Sequence, residues 1–535
     1  MENCPAISES ESKDILHGIR KGFDMLDIED KSTIESVEVD NHRSATCPER
    51  RDKVEALLLE EIALGHYQVV TEKPTIINAI GAVDKPDTKD EVRLIMDASL
   101  PKHYSLNSYA DPPGFSLEGV DDAVKYLNKD WFQAKIDLKK GYRSVPICPS
   151  NFEFTGLKWR FIGDTEFTFL RDTRLCMGTS KSPSIFQKLS DTVCKIMRFN
   201  GFICIVYLDD YYICAKTKAK CQEAYDFLWS LLTDLGFTIN TKKSVPPCQC
   251  LVFLGIQVDT RNCTLTLPDI KLNELKEEVE KWRNVKKTSK RALQRLLGKM
   301  NWAAKCVRAA RPYMRRLIAL TKGKRSRHQR FRLTAGARAD IEWWCNFTVA
   351  FNGVSFWYPP EAQPNHVFVT DASLEGGAAA CGGDFIYSCW EEDIHSIQNE
   401  SINVKEIYAI LLALRRWGHC WKYSLVHVYT DSNVALYSIR KGSVDSASGM
   451  NALREIHMIL ATFNIHLVLK KINTKANCFA DALSRFDNCV FAQKAFNMLR
   501  DPNLHSCRGV CNPLIHMSVR SWLYLLQAWH GKSIY

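Results

Sequence analysis

Residues 201–215 read GFICIVYLDDYYICA, an apolar stretch with strand character broken only by Asp209 and Asp210. The pattern predicts two buried strands joined by a tight turn, with both acids at the tip. A shorter apolar strand within AKIDLKKGYRSVP, residues 134–146, ends on Asp137. Helical periodicity from about Glu49 to Gly65 (PERRDKVEALLLEEIALGHY) starts the folded part, and residues 1–45, rich in Ser, Glu, Asp and Lys, read as loosely ordered. Residues 268–321 read as a long helical tract, with Ser289 as N-cap before KRALQRLLGKM. The basic run KGKRSRHQR up to Arg330 reads as a linker and residues 331–365 as a connector. After the Pro-rich WYPPEAQPN, the strand HVFVTDAS opens a second module near His366.

Composition changes this picture little. The chain has 535 residues, 46% hydrophobic and 25% charged, which is globular and long enough for three or four cores. A net charge of +10 favours a polyanionic partner, although an excess this modest also occurs in proteins that bind nothing acidic. No run of eighteen apolar residues exists, and the acidic, polar start MENCPAISESESKD lacks a signal-peptide pattern, so an intracellular protein, cytoplasmic or nuclear, is expected. Twenty cysteines without a secreted-domain spacing point to reduced thiols. His505, Cys507, Cys511 and His516 match no standard zinc spacing.

The acids carry the chemistry. Two adjacent carboxylates in an apolar hairpin must take up a proton or bind a cation. A third at a nearby strand end, Asp137, supplies what a two-metal phosphoryl-transfer site requires, shared oxygen ligands for ions about 4 Å apart.

These residues carry a family resemblance. Asp137 with Tyr142 resembles motif A of reverse transcriptases, Tyr207 to Asp210 resembles motif C, and LCMGTSKSPSIFQ (175–187) resembles motif B, with Cys176 where the family has Pro. LGFTINTKKS looks like motif D and VFLGI like the primer-grip turn, while Lys85 and Arg93 match the segment that grips an incoming triphosphate. The resemblance spans residues 80–260. It implies that Asp137, Asp209 and Asp210 hold two Mg2+ ions, with Mn2+ as the alternative. It also implies that Lys85, Arg93, Tyr142, Met177, Gly178 and Gln187 meet the deoxynucleoside triphosphate, with Tyr142 as a wall against a ribose 2′-hydroxyl; taken alone, Tyr142 also fits an ordinary core aromatic. The strings GIRKGFDMLDI, NHRSA, VRLIMDASLP and TSKRALQRLLGKMNWAAK resemble the polymerase polyproteins of DIRS-like (Ngaro-type) retrotransposons. Basic residues of the 268–330 tract, among them Lys281, Lys287, Arg291 and Arg295, can track a template-primer backbone or form a solvated charged face.

In the second module, Asp371, Glu406, Asp431 and Asp481 lie on four separate elements, each beside an apolar segment. Each alone reads as a turn cap or surface acid; together they resemble the metal-binding acids of the ribonuclease H domain attached to retroelement reverse transcriptases, through TDAS, KEIYA, YTDS and NxxADALSR. Where that family has His-Pro-Gly, this chain has Lys471, Ile472, Asn473 and Thr474. The resemblance implies two more Mg2+ ions and an RNA/DNA hybrid as substrate.

The expected fold class is α+β multidomain: a right-hand polymerase followed by an α/β ribonuclease H-like domain. The expected limits are fingers and palm 46–267, thumb and linker 268–330, connector 331–365, ribonuclease H-like domain 366–487 and a tail 488–535. The expected activity is RNA-directed DNA synthesis with hydrolysis of the copied RNA. The alternative is a decayed or domesticated nucleic-acid-binding scaffold, although all seven acids are present. A DIRS-like element would also encode a tyrosine recombinase, for which this chain is too short, so a truncated or split reading frame is a further expectation.

Overall fold

The computed structural model describes residues 5–84, 91–307, 309–323, 326, 328–351, 353–381 and 384–485. Lys85, the 488–535 tail and the His505–His516 group lie outside them. The chain divides into two compact units, Met1–Leu254 and Gly255–Tyr535.

In the first unit, the apolar run of 201–215 forms the predicted hairpin, Ile203–Tyr207 with Asp210–Ala215. Asp210–Ala215 also pairs antiparallel with Phe132–Asp137, which pairs with Val245–Cys248, giving a four-stranded palm sheet. The helix Ser182–Phe199 and the helix Lys218–Asp234 bury Phe186, Val193, Met197 and Leu228 in one core with Ile136, Val206 and Ile213. A separate five-stranded sheet (Val37–Glu38, Ile76–Ile77, Gly156–Trp159, Thr168–Asp172, Tyr67–Val70) and the hairpin Ala79–Asp84/Val92–Asp97 build the fingers.

Residues 5–45 are not loose, contrary to their composition. Glu9–Lys21 is a helix capped by the Ser8 side chain, with Glu9 and Glu11 in its first turn and Arg20 and Lys21 in its last, the charge order that a helix dipole favours. Ile15 and Met25 enter the palm core, and Leu26, Ile34 and Ala45 enter the fingers core. Glu11 holds Lys195 of the palm helix at 2.7 Å, and Asp27 holds Lys181 at 2.5 Å.

Palm and fingers meet at a buried ion cluster. Arg143 donates from Nε to Glu61 at 2.8 Å and from Nη1 to both oxygens of Asp172, at 2.9 and 2.7 Å, and its guanidinium lies 5.0 Å from the Tyr67 ring centre. Asp172 is fully buried; burial raises its pKa, and the Arg143 charge opposes that rise without cancelling it.

The second unit begins before the expected 267/268 boundary. Ile256–Asp259 and Thr264–Thr266 form a ladder with Val354–Phe356, so the start of this unit closes on the end of the 331–365 segment. The tract 268–321 is not one helical run: Asp269–Trp282 stops, a short strand Lys287–Ser289 follows, and Lys290–Ala303 starts on the Ser289 cap, whose hydroxyl accepts from Ala292 N at 3.2 Å. The ribonuclease H-like part is a five-stranded sheet in the order Asp384–Cys389, Gly376–Cys381, His366–Ala372, Leu425–Thr430, His466–Lys471, antiparallel for the first three and parallel thereafter. The helix Ile402–Trp417 is buried along most of its length against this sheet. Every cysteine whose side chain is described is a free thiol, and no described helix is long and apolar enough to cross a membrane.

Replacing Arg143 with Met should strand the buried Asp172 and lower the unfolding free energy of the first unit by about 3–5 kcal/mol. Arg143→Met/Asp172→Asn should recover most of that loss in urea titrations.

Candidate active sites

The palm site is assembled by strand register. Asp210 pairs with Asp137 across the central ladder and with Tyr207 across the hairpin, so Leu208 and Asp209 form the turn. Leu208 sits at φ 55, a left-handed conformation that costs a non-glycine residue about 1–2 kcal/mol. Its N–H is held at 2.9 Å by Oε1 of Gln187, whose Nε2 donates to Asp191 at 2.7 Å. Gln187 is only 1% exposed and its amide is used at both ends. The assignment of Gln187 to nucleotide contact is therefore corrected: it positions the acidic turn from behind.

Asp137 is fixed from the motif D side, where Asn240 Nδ2 donates to its Oδ2 at 2.7 Å and Ser244 Oγ accepts its N–H at 3.2 Å. Burial is the largest cause of a raised Asp209 pKa; Asp137 adds to the rise, and the Arg93 and Lys243 charges oppose it. Asp210 is likewise raised by burial, with Lys135 opposing and Asp137 and Asp209 reinforcing. Arg93, exposed on Val92–Asp97, thus lies within electrostatic reach of the turn. Tyr142 does too: burial, then the Asp209 charge, pushes its hydroxyl up to about 12, and its ring packs 4.9 Å from Phe186.

Motif B is bound to the fingers strand by backbone. Met177, 38% exposed, accepts from Met96 N at 3.0 Å. Gly178 has φ 123, and a Cβ there would stand 1.7 Å from Met96 O, so no other residue fits. Asn107, which sequence reasoning missed, joins the two: Nδ2 donates to Gly178 O and Ser99 Oγ, both at 3.0 Å, and Oδ1 accepts from Ser180 N at 2.7 Å. It lies in a short 3-10 turn, Leu106–Tyr109, whose pattern carries no signal of that role.

In the second unit one carboxylate oxygen from each of Asp371, Glu406 and Asp431 lies within 4.8 Å of the other two. Asp371 is the penultimate residue of its strand, Glu406 faces it from the buried helix, and Asp431 follows Leu425–Thr430. Asn477 and Ser484, two further residues that sequence reasoning missed, donate to Asp371 at 3.3 and 2.6 Å. Asp481 stands outside the cluster, its Oδ1 accepting from Arg485 Nε at 2.8 Å, although its charge still contributes to raising Asp371. The expected four-acid set is thus three acids and a neighbour. Burial pushes Asp371 up to about 6, and burial with the charges of Asp371 and Asp431 pushes Glu406 up to about 9. Glu406 Oε2 is buried without a hydrogen-bond partner. Three converging acids with an orphaned oxygen fit a divalent cation, which would supply the missing charge and ligand.

Residues 86–258 match the family model described as Reverse transcriptase (RNA-dependent DNA polymerase). Over these residues the chain is similar to a reverse transcriptase domain. The chain is 29% identical over 178 residues to the Pro-Pol polyprotein of Feline foamy virus, covering 33% of this chain and 14% of that one. It is 20% identical over 453 residues to the Transposon Tf2-3 polyprotein of Schizosaccharomyces pombe, covering 80% of this chain and 30% of that one. The chain therefore spans less than a third of the length of these curated relatives. A solved foamy viral protease-reverse transcriptase, in complex with double-stranded DNA, shares the fold at a TM-score of 0.50 and 17% identity, over 87% of this chain and 80% of that one.

Because Glu406 holds its proton up to about pH 9, against a usual 4.5, a cation must displace that proton. Mn2+ affinity of the second unit's cluster should rise with pH from about 6 toward 9, with close to one proton released per ion in calorimetry near neutral pH. In Glu406→Gln the release should shrink. Without metal the folded form holds the Glu406 proton more tightly than the unfolded chain does, so the stabilisation contributed by Glu406 should be greatest below about pH 4.5 and fall as pH climbs from about 4.5 to 9.

Proposed function

We propose that this chain is an RNA-directed DNA polymerase that also hydrolyses the RNA strand of RNA/DNA hybrids. The observation that carries the reading is the register that sets Asp137 opposite Asp210 beside Asp209, within one chain that holds a second acidic cluster at Asp371, Glu406 and Asp431. The wording of its motifs favours a DIRS-like (Ngaro-type) retroelement as its source.

Asp137, Asp209 and Asp210 would hold Mg2+ in the palm, and Asp371, Glu406 and Asp431, with Asp481 alongside, would hold it in the second unit; Mn2+ has the same oxygen preference. Bound there in pairs, the ions would activate the attacking oxygen and offset charge on the phosphate and leaving group. The protein's own part is orientation. Arg93 presents a guanidinium able to grip triphosphate oxygens in bidentate fashion, and Lys85 is assigned the same role by resemblance alone. Met177 and Gly178 form a surface tied to the fingers strand at Met96. The half-buried Tyr142 ring, within electrostatic reach of Asp209, would by the family resemblance collide with a ribose 2′-hydroxyl and so favour deoxynucleotides.

Primer extension on poly(rA)/oligo(dT) with Mg2+ should be abolished by Asp209→Asn, and equal activity in both proteins would overturn the polymerase assignment. Asp371→Asn should lose cleavage of RNA in a hybrid while extension persists; loss of both together would argue against two separate sites. Tyr142→Ala should raise ribonucleotide incorporation relative to deoxynucleotide, measured by single-nucleotide extension.

A further inference from the structure

Lys181, Lys188 and Lys195 stand at intervals of seven on the palm helix, Lys181 at its N-cap and the other two within Ser182–Phe199. Seven residues return to the same face of a helix within about 20°. Each lysine meets an acid of the N-terminal segment, in reversed chain order: Asp27 at 2.5 Å, Asp14 at 3.2 Å and Glu11 at 2.7 Å. The segment thus runs antiparallel along one stripe of the helix that carries Gln187.

The three pairs are not equivalent. Lys188 and Lys195 are 42% and 41% exposed, and ion pairs so open to water contribute little. Lys181 is 13% exposed and sits at the positive end of the helix dipole, where a cation is disfavoured and Ser, Thr, Asp or Asn is the usual cap. Its side chain makes no cap bond, so it does nothing for its own helix. What it does is receive Asp27. That residue also reaches the other support of motif B: its Oδ2 accepts from Asp111 N at 2.7 Å, and its own N–H donates to Tyr109 O at 3.0 Å. These contacts fix the end of the turn Leu106–Tyr109, whose Asn107 holds Gly178 O and Ser180 N. Burial would raise the Asp27 carboxyl, yet the bonds from Lys181 and Asp111 leave it below its ordinary value. The exposed tip at Met177 and Gly178 is therefore held from both sides by groups that lead back to one residue, 154 positions before Lys181.

We infer that Asp27 is a positioning residue for the nucleotide-facing surface at Met177 and Gly178, acting through Lys181 and through the turn that carries Asn107. The inference rests on the polymerase reading for what that surface meets.

Single-nucleotide extension of poly(rA)/oligo(dT) by the full chain should show the KM for dTTP raised about fivefold in Asp27→Asn, the upper end of what a part-exposed ion pair is worth. Its kcat should stay within about twofold, because the acids are held separately through Gln187 and Asn240. Asn keeps an acceptor for Asp111 N–H, so the charge alone is removed. Lys181→Gln should match it, the double variant should be no worse than either, and Lys181→Arg should stay near wild type. An unchanged KM in Asp27→Asn would overturn the inference, as would KM, kcat and melting temperature all worsening together. A second readout needs no catalysis: the Ser180 amide, held by Asn107 Oδ1, should exchange with deuterium about fivefold faster in Asp27→Asn. Equal exchange in the two proteins also overturns it. Faster exchange in a chain that extends no primer removes the polymerase reading and leaves the positioning role standing. Extension with equal KM in both proteins removes the positioning role alone.

Discussion

The pairing register between Phe132–Asp137 and Asp210–Ala215 is the constraint on which the first unit depends. Side chains alternate along a strand, so a slip of one residue would send Ile136 and Tyr211 out of the core and drive the acids into it. Tyr211 and Ile136 are both fully buried, which makes the slipped state costly on both counts. Hydrophobic burial on one face thus places two carboxylates opposite each other on the other face. Their mutual repulsion is a consequence of packing, which a cation would relieve.

The same logic, with different parts, builds the second site. There the acids converge from a strand end, a buried helix and the residue after a parallel strand. No two of them are ladder partners, so their spacing depends on how the helix Ile402–Trp417 packs on the sheet. Asn477 and Ser484 occupy both oxygens of Asp371 with donors, whereas one oxygen of Glu406 is left without any. The two carboxyls differ accordingly, one constrained by hydrogen bonds and the other by desolvation.

Much of this was legible in the sequence, for identifiable reasons. The 201–215 hairpin and the strand ending at Asp137 announce themselves because period-two apolar patterns with a polar tip have few other solutions. Ser289 was readable as a cap because capping is local. Misreadings fall where long-range partners decide. The Glu9–Lys21 helix looks too polar to fold, yet it is secured by Lys195, 184 residues away from Glu11, and by burial of Ile15 in a core made elsewhere. Gln187 sits in a motif whose type suggests ligand contact, but a sequence does not say which way an amide points, and this one turns inward to Leu208. The break after Trp282 is likewise invisible locally, since the strand that interrupts the tract exists only because Arg330–Arg332 returns to pair with it.

Tyr142 and Arg143 are consecutive residues of one short 3-10 turn, Gly141–Ser144, whose side chains serve different masters. The ring looks toward the acidic turn, and the guanidinium is locked into Glu61 and Asp172 on the fingers side. Stiffness at the ring is therefore borrowed from charges that never meet a nucleotide. If Tyr142 gates the sugar as proposed, sequence drift in the fingers at Glu61, Tyr67 or Asp172 would register as altered choice of sugar, an effect that a survey confined to the nucleotide pocket would leave unexplained.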